Sequence, residues 1–231
     1  MKRSALVLGV ETSSRLVGVS LVRDGQVLNS LERMTVHPRA DDLRQMVDGL
    51  LADARVTLDD LTGIAVSLGP GSFTGLRIGV SFVKGLALGR RVSVVGVPTF
   101  DVIAQNFWGH RGAVTILLDA KQGKVYAAQF RWQGARCTRL GPWRLDAIES
   151  LRALLKRGTL LAGDGVAVYA TLLRRLLRRA PVVAPAELWW PRAATVARLG
   201  TARVARGRRN DPQALVPLYL YPKDCSIKRR P

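Results

Sequence analysis

Residues 67–88 read SLGPGSFTGLRIGVSFVKGLAL and predict a strand, a tight turn and a helix, in that order. The turn is predicted at residues 69–72, because its two glycines can adopt backbone angles closed to other residues and Pro70 cannot extend a strand ladder. Ser72 or Thr74 can cap the following helix by accepting a hydrogen bond from a free amide of its first turn. The rest of the predicted fold is arranged around this strand and helix.

The predicted helix is apolar around most of its circumference, and only two of its residues are charged. Gly75 and Gly79 stand four apart, as do Ser81 and Gly85, so small residues form rows where another helix could approach closely. Such a helix is buried on more than one side. Burial by the chain's own core and burial by a second protein both remain open. A phosphate cradle at the helix N-terminus is the weaker alternative, because no Walker-type lysine and hydroxyl follow the glycines.

Composition is that of a globular protein: 48% of the 231 residues are hydrophobic and 23% are charged. No apolar run reaches the roughly 20 residues needed to span a bilayer. The basic start leads into a strand without a small-residue cleavage site, so no signal peptide is predicted. Cys137 and Cys225 lack metal-like spacing and make no disulfide scaffold. We therefore expect a cytoplasmic protein that does not associate with membranes.

The net charge of +19 is unevenly distributed along the chain. Residues 1–110 carry 12 Lys or Arg against 10 Asp or Glu, whereas residues 111–231 carry 24 against 7. This asymmetry favours contact with a polyanion. The alternative is an arginine-rich codon usage, since 29 of the 36 basic residues are arginines.

One helix that ends near residue 180 carries four arginines on one side, opposite a row of leucines. A basic amphipathic helix can face RNA phosphates or lie on a membrane surface, and an ordinary solvated face is the other alternative. The candidate RNA-facing residues are Arg174, Arg175, Arg178 and Arg179.

Hydrophobic periodicity and turn residues predict the same element order in both halves of the chain, three strands, helix, strand and helix. The first half ends with one further strand and helix. The predicted elements of the first half are residues 4–10, 16–22, 26–31, 39–54, 64–68, 75–88, 92–97 and 98–107. Those of the second half are residues 114–118, 125–130, 136–140, 145–155, 160–162 and 166–177, with a last helix over 192–206.

Known catalytic motifs are not found in the sequence. A metallopeptidase needs two histidines one helical turn apart and a further ligand, but His37 and His110 are far apart and in unlike contexts. Ser72 has glycine neighbours without the G-x-S-x-G spacing of a serine hydrolase. No metal site is therefore predicted.

Five stretches carry a resemblance to a known family: LVLGVETSS at residues 6–14, GPGSFTGLRIGVSFVKGLALG at 69–89, LLDAKQGKVYAAQF at 117–130, LAGDG at 161–165 and PLYL at 217–220. Together with His37 before an acidic amphipathic helix, they resemble the TsaB family of glycoprotease-like proteins. The resemblance covers nearly the whole chain. The chain departs from the family pattern at Glu11, Lys121 and Tyr221, where the family commonly has Asp, Arg and Arg.

The repeated element order and the resemblance both imply the duplicated actin-like ATPase (ribonuclease H-like) fold, an α/β fold with two lobes. Each lobe is expected to hold a mixed five-stranded sheet flanked by helices. The first lobe is assigned to residues 1–109, the second to 110–220 and a basic tail to 221–231, with the option that the last helix packs back on the first lobe. Two acids at equivalent strand ends, Glu11 and Asp119, are then expected near the cleft between the lobes.

The TsaB resemblance implies a non-catalytic scaffold and dimerisation subunit of the bacterial tRNA threonylcarbamoyladenosine machinery. Such a subunit binds and activates TsaD, which uses ATP and metal to transfer the threonylcarbamoyl group to the tRNA adenosine next to the anticodon. The ATPase TsaE joins the assembly. No cofactor is expected in the isolated chain, which is expected to form a homodimer when alone and to meet tRNA through the complex.

Two helices, residues 39–54 and 75–88, carry more apolar surface than their own sheet needs, and we predict that they form the partner interface. The predicted interface residues are Leu43, Met46, Val47, Leu50, Gly75, Arg77, Ile78, Gly79, Ser81 and Phe82.

The competing function is a weak ATPase or a glycoprotease-like hydrolase that uses the cleft between the lobes. Its candidate nucleotide-binding residues are Glu11, Ser13, Asp119 and Gly163. Phosphoryl transfer needs metal-holding acids, phosphate-cradling amides and an adenosine pocket together, and only the acids are visible in the sequence. A third alternative is an RNA-binding module that depends on the basic second half.

Overall fold

The computed structural model describes residues 4–35, 39–156, 158–177 and 180–220. Its first sheet has five strands in the order β3-β2-β1-β4-β5. These strands are Leu6–Glu11 (β1), Leu16–Arg23 (β2), Gln26–Met34 (β3), Gly63–Gly69 (β4) and Ser93–Pro98 (β5). β1 runs antiparallel to β2 and parallel to β4, and β4 runs parallel to β5.

Helices cover both faces of the first sheet, which is why its central strands are apolar on both sides. Alternate residues of β1 point to opposite faces. Leu8 packs in a cluster with residues of α1 (Ala40–Asp53) and α2 (Phe73–Ala87). Val7, on the other face, packs with residues of α3 (Thr99–Ala104) and α6 (Ala193–Ala205).

The second sheet repeats this topology in the order β11-β10-β6-β7-β8, with β9 paired to β7 beside that path. Its strands are Ala113–Asp119 (β6), Lys124–Gln133 (β7), Arg136–Arg139 (β8), Arg144–Ala147 (β9), Leu160–Ala162 (β10) and Val182–Val183 (β11). β6 is antiparallel to β7 and parallel to β10, as β1 is to β2 and β4. The predicted duplicated fold is confirmed, and the second sheet has one strand more than expected.

Two helix predictions in the second half were wrong. Residues 145–155 form β9 and a 3-10 helix over Ile148–Leu154, because the segment pairs with β7 and places Leu145 opposite Tyr126. The helix predicted over residues 166–177 is divided at Tyr169 into α4 (Gly165–Val168) and α5 (Ala170–Leu177). The Tyr169 hydroxyl donates to the Lys124 carbonyl oxygen at 3.1 Å, so this residue is tied to the start of β7.

The end of the described chain returns to the first lobe. α6 lies on β1 so closely that a Cβ atom at Gly9 would be 2.5 Å from the Ala193 carbonyl oxygen. Beyond α6, the Asn210 amide donates to the Val94 carbonyl oxygen at 2.8 Å, and the Leu218 amide donates to the Leu68 carbonyl oxygen at 2.7 Å. Residues 193–219 therefore complete the first lobe although they follow the second in the sequence. The predicted basic tail, 221–231, lies outside the described residues.

Candidate functional site

Glu11 ends β1 and lies enclosed in the first lobe. Its carboxylate accepts hydrogen bonds from the Ser13 amide at 2.6 Å, from the Ser13 hydroxyl at 2.5 Å and from the Ser67 hydroxyl at the end of β4. Because β1 and β4 are parallel neighbours, their carboxyl ends bring Glu11 and Ser67 together although they are 56 residues apart. The sequence analysis named Glu11 and Ser13 but missed Ser67, for which only the strand pairing gives a signal.

Burial raises the pKa of Glu11 from 4.5 to about 7, because a charged carboxylate loses its hydration inside the protein. The hydrogen bonds from Ser13 and Ser67 favour the charged form and offset part of this effect. Glu11 is therefore close to half protonated near neutral pH.

The helix α2 closes over the turn that follows Glu11. A Cβ atom at Gly71 would lie 2.1 Å from the Ser13 carbonyl oxygen, and one at Gly75 would lie 2.1 Å from the Thr12 carbonyl oxygen. A Cβ at Gly79 would lie 2.1 Å from the Thr12 hydroxyl oxygen. The glycines thus allow close packing within this chain, between α2 and the turn over residues 12–13.

This contact corrects the assignment of Gly75 and Gly79 to a partner interface. Both are buried on the inner side of α2, so no other molecule reaches them. Three residues of α1 require the same correction, since they are at most 1% exposed within the first core: Leu43, Val47 and Leu50. A stripe at helical spacing was interpreted as excess apolar surface, but Leu43, Val47 and Leu50 are buried within the first core.

The remaining predicted interface residues, Met46, Arg77, Ile78, Ser81 and Phe82, are exposed or half-buried. Four of them lie on α2. Two further residues that the sequence analysis missed are also exposed, Phe73 at the start of α2 at 42% and Leu88, which directly follows α2, at 77%. We call the following set the α2 outer face: Phe73, Arg77, Ile78, Ser81, Phe82 and Leu88. It runs the length of the helix.

The beginning of the α2 outer face is ordered by a cluster of aromatic rings and one guanidinium group. The Arg77 guanidinium lies 3.9 Å from the centroid of the Phe73 ring, an attractive cation–π distance. Its Nε donates to the Tyr219 hydroxyl at 3.1 Å, and the rings of Phe73 and Tyr219 lie 5.4 Å apart. The spacing of Phe73 and Arg77 along one helix is a signal in the sequence, whereas Tyr219 is brought there only by the returning chain end.

Asp119 is the counterpart of Glu11 at the end of β6, but its surroundings differ. Its carboxylate contacts the Lys121 ammonium at 2.5 Å and accepts from the Lys121 amide at 2.9 Å, while its own amide donates to Asp164 at 3.0 Å. Burial alone would raise the pKa of Asp119, but Lys121 lowers it below the usual range. Burial raises the pKa of Asp164. Asp119 is therefore an ionised group paired with a lysine.

The four predicted nucleotide-binding residues fall into two clusters, one on each lobe. Gly163 belongs with Asp119, since it stands next to Asp164 and a Cβ there would lie 2.2 Å from the Leu117 carbonyl oxygen. In the part of the chain that the structure describes, no group of three or more His, Cys, Asp or Glu side chains is placed to hold a metal ion.

Two of the four RNA-facing candidates lie on α5. Arg174 and Arg175 are exposed, opposite the buried Leu173. Arg178 and Arg179 lie outside the described residues. Within the described ranges, no helix has the length and hydropathy to cross a membrane.

Sequence comparison connects the chain to proteins of tRNA modification. The family model described as TsaD, tRNA N6-adenosine threonylcarbamoyltransferase, matches residues 37–212. The tRNA threonylcarbamoyladenosine biosynthesis protein TsaB of Bacillus subtilis is 28% identical over 227 residues, which cover 96% of each chain. The Escherichia coli protein of the same name is 35% identical over 127 residues, which cover 54% of each chain.

Structure comparison agrees with the sequence comparison. A crystal structure from Pseudomonas aeruginosa, described as an uncharacterised protein with similarity to peptidase YeaZ, superposes with a TM-score of 0.80 at 28% identity. The match covers 94% of this chain and 100% of the other. The fold, including both lobes, is therefore shared along nearly the whole length.

Proposed function

Since this chain belongs to the family of TsaD, tRNA N6-adenosine threonylcarbamoyltransferase, we propose that it is a TsaB-type scaffold subunit that binds and activates a TsaD-type partner. Its TsaB relatives support a role in tRNA threonylcarbamoyladenosine biosynthesis. In this proposal the partner uses ATP and metal and transfers the threonylcarbamoyl group, and a TsaE-type ATPase joins the assembly. The chain itself contributes surface and performs no chemical step.

The observation that carries the proposal is the exposure of the α2 outer face. Leu88 and Phe73 are large apolar residues left exposed at its two ends, and Ile78 and Phe82 lie half-buried between them. Ser81 is small and exposed, so a second helix can approach α2 closely at its centre. Contiguous apolar surface of this kind marks protein–protein contact sites. We propose a TsaD-type partner as its occupant, and a second copy of this chain when that partner is absent.

The enclosure of Glu11 supports a non-catalytic role. Its carboxylate is engaged by two serine hydroxyls, and α2 fills the space on one side of the following turn. On the second lobe, Asp119 is already neutralised by Lys121. Acids that hold their own chain's donors are poorly placed to hold a metal–nucleotide complex.

The substitution Ser81→Arg tests the proposal, because Ser81 is exposed and its replacement does not alter the core. Thr171→Arg is the matched control, an exposed small polar residue on α5 of the other lobe. Each variant is co-purified with the TsaD-type subunit of the same cell, and threonylcarbamoyl transfer by that subunit is measured with and without it. We expect Ser81→Arg to lose partner capture and activation while Thr171→Arg matches the wild type.

Circular dichroism of both variants establishes that they are folded, and light scattering after gel filtration reports the isolated chain's oligomeric state. The proposal is wrong if folded Ser81→Arg captures and activates the partner as well as Thr171→Arg does. A wild-type chain that captures the partner without raising its activity would leave the scaffold role standing and refute the activation.

A further inference from the structure

A cavity of about 490 Å³ lies at the edge of the first sheet opposite to Glu11. Glu11 is at the carboxyl end of β1, whereas the cavity reaches the amino ends of the parallel strands β4 and β5 at Thr62 and Ser93. It is open to solvent, and among the described residues no aromatic side chain contributes to its wall. The lining residues are Leu58, Asp59, Leu61, Thr62, Gly89, Arg90, Arg91, Val92, Ser93 and Arg209.

Three arginines and a single carboxylate line this cavity. Arg90 is held in place, since its Nε lies 3.3 Å from the Asp59 carboxylate and its Nη1 donates to the Leu86 carbonyl oxygen at 3.0 Å. The Leu86 carbonyl lies at the C-terminal end of α2, where the helix dipole is negative, so Arg90 offsets both sources of negative charge. Among the described residues no salt bridge is found for Arg91 or Arg209. The surplus positive charge of the cavity therefore belongs to these two side chains.

The position of Arg209 is set by its neighbour in the chain. The Asn210 amide donates to the Val94 carbonyl oxygen at 2.8 Å, and the Gly96 amide donates to the Asn210 side-chain oxygen at 2.8 Å. These two bonds attach the segment after α6 to β5 and so bring an arginine from the basic second half of the sequence to the edge of the first sheet.

We propose that this cavity binds a phosphate group of an RNA backbone. A guanidinium group presents a planar fork of N–H donors that matches two phosphate oxygens, and Arg91 and Arg209 supply two such forks on one cavity. Without an aromatic side chain in the wall, bases have no stacking platform, so the contact is made to the backbone and carries no sequence preference. The inference rests on the proposed function for its source of RNA, a tRNA bound by the assembly.

The experiment measures fluorescence anisotropy of labelled tRNA with the full chain, for the wild type and the double variant Arg91→Glu/Arg209→Glu. The control is Arg131→Glu/Arg136→Glu, which makes the same change in net charge at two exposed arginines of the second sheet. We expect the cavity variant to weaken tRNA binding at least about tenfold, and the slope of log affinity against log salt to fall by about 1 for each arginine. The control is expected to keep the wild-type slope.

A second titration adds inorganic phosphate or ATP at constant ionic strength, and so distinguishes an RNA backbone from a small phosphate compound. Saturation by either at micromolar concentration, without tRNA binding, would assign the cavity to a small ligand and overturn the RNA proposal. Equal losses in both double variants would show diffuse charge rather than a site and would also overturn it. Co-purification with the TsaD-type partner is measured on the same proteins, so a failed scaffold role and a failed RNA site give different results.

Discussion

The packing of α2 on the backbone of the turn over residues 12–13 makes a direct prediction about stability. At Gly75, a Cβ atom would lie 2.1 Å from the backbone oxygen of Thr12, so alanine there forces the helix and the turn apart. At Gly85 in the same helix, nothing lies within 4 Å of the added Cβ. Gly75→Ala and Gly85→Ala therefore add the same atom to the same helix, once against backbone and once into open space.

The two substitutions differ only in the steric cost. Both gain up to about 1 kcal/mol of helix propensity when glycine is replaced by alanine. Overpacking against a backbone atom costs about 1–3 kcal/mol, because the neighbouring chain must shift. Gly75→Ala is thus expected to be about 1–3 kcal/mol less stable than Gly85→Ala, while Gly85→Ala is as stable as the wild type or more so.

Urea unfolding followed by circular dichroism measures the free energy of unfolding of the three proteins. Equal values for the two variants would mean that α2 does not pack on the turn over residues 12–13. In that case Gly75 would be free to contact a partner.

Two further predictions concern charged groups of the first lobe. The pKa of Glu11 is raised to about 7 in the folded chain from 4.5, so between these values the native state binds a proton that the unfolded state has lost. The free energy of unfolding should therefore fall by about 3 kcal/mol as pH rises from 4.5 to 7. Urea unfolding at several pH values should show a weaker pH dependence for Glu11→Gln than for the wild type. An unchanged pH dependence in the variant would contradict this prediction. Glu32 accepts from Arg192 at 2.7 Å and from the first amide of α6, Ala193, at 2.9 Å, so Glu32→Ala should lower the free energy of unfolding by about 1–2 kcal/mol. The control is Glu149→Ala, at an exposed glutamate. Equal losses of unfolding free energy in the two variants would show that Glu32 does not stabilise the N-terminal end of α6.

Much of the fold was predictable because the central strands and helices have strong local signals. The β-branched and apolar run of β2, the 3–4 spacing of α1 and the glycine turn before α2 each specify an element without reference to the rest of the chain. The wrong predictions lie where pairing with a strand that is distant in the sequence determines the secondary structure. Residues 145–155 carry apolar spacing compatible with a helix, yet residues 145–147 are extended because they pair with an edge of β7.

The candidate sites were predictable only in part. The sequence located Glu11, Ser13 and Asp119 at strand ends, since equivalent positions recur in both halves. It did not distinguish the buried side of α2 from the exposed side, because small side chains allow close packing either against a partner or within the chain. Gly75 and Gly79 face Thr12, whereas Ser81 faces solvent, and that difference depends on how α2 is rotated against the first sheet.

By itself, then, the sequence determined the repeated order of strands and helices and hence the duplicated α/β fold, because local hydrophobic periodicity and turn residues act over a few positions. Tertiary structure alone decided which side of α2 is free, that residues 193–219 complete the first lobe, and that Arg209 and Arg91 line the same cavity. These features join residues that are distant in the chain, and their positions follow from packing against a common sheet rather than from any local preference.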